Sequence, residues 1–102
     1  MLFQMLLLVS QPLDRADRLN ERLTKCLFAT ARNAHSENQS PDQFRRTLAS
    51  SCMAEEQSVR DAAVTLLIAR GQSRESAEST IDETLSNGRA AVVRAYSFDA
   101  PR

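Results

Sequence analysis

Cys26 and Cys52 stand at equal distances on either side of Gln39. Gln39 lies in the polar stretch His35-Ser36-Glu37-Asn38-Gln39-Ser40-Pro41, where no large aliphatic residue occurs. That symmetry constrains the fold more than any other feature, because residues equidistant from the turn of an antiparallel helical hairpin face each other. If both flanks are helical, the two sulfurs meet across the interface, with the Cα atoms inside the limit of about 7 Å that a disulfide requires.

Both flanks read as helices. From Pro12 to about His35 the residues Ala16, Leu19, Leu23, Cys26, Leu27 and Ala34 recur at steps of three and four, with Asp, Arg and Asn between them. The second helix opens on Ser40-Pro41-Asp42-Gln43: a serine N-cap, proline at the first helical position, an acid in the first turn and glutamine at N3. Each of these answers an orphan donor, fixes φ or favours the positive end of the helix dipole. Phe44, Leu48, Cys52, Val59, Ala62, Ala63, Leu66 and Leu67 then carry one stripe to Arg70, and Gly71 falls where a left-handed C′ residue is wanted.

Ser73 caps a third helix that leads with Glu75 and Glu78 and turns Ala77, Ile81, Leu85, Val92 and Tyr96 inward. Asn87-Gly88 is the point at which it could break; an unbroken helix would carry the glycine at a cost of about 1 kcal/mol relative to alanine. Short connections make successive helices antiparallel neighbours. The expected fold is therefore all-α: a small antiparallel, up-down-up three-helix bundle over residues 12–98, with the third helix either broken or continuous, followed by a frayed tail at 99–102. Only 2 Gly and 3 Pro interrupt the 102 residues, and no β-branched alternation reaches strand length.

The redox compartment decides what the cysteines do. Leu2 to Val9, with Gln4 the only polar interruption, falls far short of the roughly 20 apolar residues of a membrane-spanning helix. It reaches the lower limit of a secretory signal's apolar centre, and Ser10 supplies a small residue after it, but no Lys or Arg precedes it. Residues 1–11 are thus read as a truncated signal whose charged start lies upstream, or as an N-terminal arm in which Leu2, Phe3, Leu6 and Leu7 pack. Export to a periplasm or beyond is the favoured reading and agrees with a Cys26–Cys52 disulfide. A cytoplasmic chain would instead bury two free thiols as small hydrophobes.

Composition narrows function. Thirteen basic residues balance thirteen acidic ones, Trp is absent and aromatics make up 5%. The chain therefore lacks both the field that draws proteins to phosphate backbones and the stacking platforms of single-strand binders. A helix-turn-helix reading of the segment around Gly71, with Arg70 and Arg74 on phosphates, places Glu75, Glu78, Asp82 and Glu83 on the recognition helix, against a polyanion. It is retained as the alternative function, a cytosolic nucleic-acid-binding or regulatory protein.

No phosphate-binding glycine loop and no nucleophile elbow is written in the chain, and His35 is its only histidine, placed where a cation suits a helix C-terminus. We expect no catalytic residues, no metal ligands and no cofactor. Glu55 falls on the apolar stripe of the second helix, about 20° from Phe44 on a helical wheel. It is assigned an interhelical ion pair with Arg89, with Arg22 close in level. Phe28, Met53 and Ile68 lie off the main stripes and form the candidate interaction surface for a protein partner or a second copy. The expectation is a non-catalytic, disulfide-stapled helical module.

Overall fold

The computed structural model describes the backbone of residues 2–99 and the side chains of residues 14–98. Packing of the apolar arm at residues 1–11, and the tail at 100–102, lie outside the described residues. The described residues form an all-α bundle of four packed helices: α1 Leu2–Ser36, α2 Pro41–Ala49, α3 Met53–Ala69 and α4 Arg74–Asp99. The backbone of α1 runs through Pro12, so that proline is interior to the helix instead of opening it.

The terminators act where the local code places them. At the end of α1, Asn38 adopts φ 56 while its N–H and that of Gln39 donate to the carbonyls of His35 and Ala34. At the end of α3, Gly71 adopts φ 106, and its N–H and that of Gln72 donate to Ile68 and Leu67. Both are Schellman closures, built on the two residue types that best tolerate the left-handed region. The α2 start is a complete capping box: the Gln43 N–H donates to Ser40 Oγ at 3.2 Å and the Ser40 N–H to Gln43 Oε1 at 2.8 Å. Ser73 Oγ accepts from the Ser76 N–H at 3.1 Å to open α4.

The second expected helix is two helices. It breaks at Ser50-Ser51-Cys52, where Cys52 turns left-handed at φ 62. The serines compete with the ladder: Ser51 Oγ donates to the Thr47 carbonyl at 2.6 Å and Ser50 Oγ to the same atom at 3.4 Å. The break re-aims α3, so Val64, on the opposite side from Phe44 if the helix ran straight, is 4% exposed. The third expected helix is α4, and it passes Asn87-Gly88 unbroken.

The core gathers Leu23, Leu27 and Ala34 of α1 with Phe44 and Leu48 of α2, Cys52 and Tyr96. Phe44 stacks on Tyr96 with ring centroids 4.1 Å apart, and the Tyr96 hydroxyl donates to the Gln39 carbonyl, tying α4 to the α1–α2 turn. Cys26 and Cys52 form a disulfide with Cα atoms 5.9 Å apart. At the other end α3 and α4 are held by Arg60, whose Nε donates to Asp82 Oδ1 at 2.7 Å while Nη2 lies 3.9 Å from Glu78. The hydrogen bond from Arg60 holds the Asp82 carboxyl below its ordinary pKa, and Asp82 in turn raises that of the guanidinium.

Candidate functional site

Two arrangements of chemically active side chains stand out, and they do different things. The first is a clasp on Arg89. Its Nε donates to Glu56, its Nη1 to the Leu48 carbonyl and its Nη2 to the Ser51 carbonyl at 2.9 Å. These carbonyls flank the α2–α3 break; that of Leu48 also accepts from the Ser51 N–H at 3.1 Å, and that of Ser51 is one the interrupted helical ladder leaves for a side-chain donor. The guanidinium fork meets them and a carboxylate at once.

The carboxylate partner differs from the expected one by one residue. Arg89 pairs with Glu56, not Glu55, because the left-handed turn at Cys52 rotates α3 and shifts which residue faces α4. Glu55 lies half-buried with Leu19, Arg22, Ala54 and Ser58 around a shallow cleft between α1 and α3. Among the described residues, neither it nor Arg22 joins the Arg89 clasp.

The second arrangement is an open groove between α1 and α4. The two helices run in the same direction: Leu23 and Leu27 border the groove beside Leu85 and Gly88, while Ala31 and His35 border it beside Ala95 and Tyr96. Phe28 and Val92 lie at its midpoint and line both halves. The 3.6-residue pitch makes the groove. Leu23, Leu27 and Ala34 turn to the core, whereas Phe28, about 100° round from Leu27, is left 50% exposed.

Chemically the groove is apolar along its floor and cationic at one end. Arg32 and His35 line that end, with the His35 ring edge-on to Tyr96 at 6.4 Å between centroids. Gly88 lies in the floor, and a Cβ built there meets nothing within 4 Å. Such a surface suits docking of an apolar, helical or extended segment; the polar groups that are drawn inside, Arg89 and Tyr96, already hold backbone carbonyls.

Of the three residues expected to form an interaction surface, Phe28 is the one that lines the groove. Met53 is 56% exposed as the first residue of α3, and Ile68 is half-buried near that helix's far end. Fifteen residues of helix separate those two, about 22 Å, so the three do not make one patch. Sequence reasoning placed Val92 in the core and Gly88 at a helix break, and gave Ala95 and Arg32 no part in a site. A signal for the α1 side of the groove is present in the sequence, where Asp17, Glu21, Thr24, Phe28, Ala31 and His35 follow alternate steps of four and three, a second stripe beside the core stripe.

Among the described residues no helix is long and apolar enough to cross a membrane. Comparison with protein-family models, with curated proteins and with solved structures gives no match.

Proposed function

We propose that this chain is an exported, non-catalytic interaction module, held by Cys26–Cys52 and acting through the groove between α1 and α4. The observation that carries the reading is Phe28: a large aromatic side chain, half exposed at the middle of an apolar groove, is the kind of anchor around which protein interfaces concentrate their affinity. Export is supported by the disulfide, which persists in oxidising compartments. A non-catalytic role is supported by the use of Arg89, Glu56 and Tyr96 as structural ties.

The test places a photo-crosslinking amino acid at position 28 or 92, and at the exposed α3 and α4 positions 57 and 79 as controls, in protein made in a native-like host. Adducts at the two groove positions and not at the controls are expected. Equal labelling at all four positions, or none at 28 and 92, overturns the reading.

A further inference from the structure

The exposed stripe of α1 has a direction. Asp17 and Glu21 occupy its first part, Thr24, Phe28 and Ala31 its middle, and Arg32 and His35 its end. All but Ala31 are exposed, and Ala31 is half-buried. On a helical wheel these residues fall within about 60° of Phe28, so acid, apolar centre and base follow one another along a single face. Lys25 at its edge pairs with Glu21 at 3.2 Å and leaves that carboxylate exposed. Among the described residues Arg32 has no carboxylate within ion-pair distance.

A face ordered in this way is complementary to itself when reversed. We infer that the occupant of the groove is α1 of a second copy of this chain, lying antiparallel about a two-fold axis at Phe28. The inference rests on the groove being the docking surface. Reversal about residue 28 sets His35 opposite Glu21 of the second copy and Arg32 opposite Thr24, one turn from that same Glu21. Each pair occurs twice by symmetry, as an isologous interface requires. Parallel pairing would set acid on acid and base on base. The spacing of four and three residues is that of a helix–helix seam, and the two Phe28 side chains close its centre.

Gly88 supplies an independent sign of close approach. Glycine is the least favourable residue other than proline inside a helix, yet α4 carries it without a positive φ and without any neighbour that a Cβ would touch. Among the described residues nothing within the single chain uses its lack of a side chain. A second helix laid in the groove over α4 would use it, because small residues let backbones approach.

The experiment is sedimentation velocity of the oxidised chain across a wide concentration range, with three variants whose changes are all exposed and whose helicity is checked by circular dichroism. Asp17→Lys with Glu21→Lys makes the face wholly basic, and Arg32→Glu with His35→Glu makes it acidic at both ends, with Lys25 at its edge the one base left. The wild type is expected to show reversible monomer–dimer behaviour, each charge variant alone to associate at least about tenfold more weakly, and an equimolar mixture of the two to form a heterodimer. Phe28→Asp should be monomeric.

A wild type that is monomeric throughout, charge variants that dimerise as well as the wild type, or association that survives Phe28→Asp would each overturn the inference. The crosslink at position 28 separates this failure from failure of the groove itself. A monomeric chain whose position-28 adduct contains a different protein loses the second copy and keeps the docking surface; a monomeric chain with no adduct loses both.

Discussion

Arg89 donates in three directions from one guanidinium, to Glu56 and to the carbonyls of Leu48 and Ser51, with its side chain 18% exposed. Removing it leaves the Glu56 carboxylate and the Ser51 carbonyl short of donors in a partly buried site, while the Leu48 carbonyl keeps the Ser51 N–H, so Arg89→Met should cost about 2–4 kcal/mol in urea unfolding. Arg89→Lys should recover little, since an ammonium cannot reproduce the fork. Glu56→Gln should cost about 1–2 kcal/mol and Glu55→Gln no more than about 0.5; the reverse order would mean that α3 is not rotated as described. Asp82 carries a pH dependence of known sign. Its pKa is depressed by Arg60 in the folded chain, so the pair's contribution is present above the unfolded carboxylate value of about 3.9 and is lost as pH falls through the folded value. Wild-type stability should therefore fall more steeply below about pH 4 than that of Asp82→Asn, as read from urea midpoints; parallel profiles would show that the pair contributes nothing.

At the level of elements, the break at Ser50–Cys52 sets the phase of α3 and with it both the burial of Val64 and the choice of Glu56. In a Cys26→Ser background, Cys52→Gly should be more stable than Cys52→Ala by about 1 kcal/mol, because only glycine takes φ 62 without steric cost. The opposite order would mean a right-handed residue and a straight helix. Gly88→Ala should stabilise the chain by about 0.5–1 kcal/mol in the absence of any partner, since α4 is continuous there and the space is open. Helix boundaries set by neighbouring residues were legible in the sequence: Ser40 with Gln43, Gly71 and Ser73 each act over three or four positions. The break was not, because its serines are as common on a helix surface as in a turn and its stabilising donor, Arg89, lies 38 residues from Ser51. A stripe carried from Phe44 through Cys52 therefore reads as continuous; Val59 packs against the core as expected, but Val64 falls off that stripe and Glu55 takes the place of Glu56. The groove was half legible: Phe28 marked it from α1, but its floor on α4 depends on how far apart two non-sequential helices lie.

For the whole molecule, the disulfide closes a loop across 26 residues of separation and joins α1 to the α2–α3 break. The chain-entropy model gives such a closure about 3.5 kcal/mol, a large part of what a domain of this size commands. Reduction should lower the unfolding free energy by about that amount while leaving the caps and the Phe44–Tyr96 stack in place below the transition. The proposed export rests on the same bond, because disulfides persist where thiols stay oxidised. Intact mass of the protein recovered from a native-like host, with thiols alkylated before any reductant is added, tests this most directly. The account predicts no alkylation and a mass two hydrogens, about 2 Da, below that of the dithiol; a chain carrying alkyl groups on both Cys26 and Cys52 would contradict the disulfide and the export that rests on it.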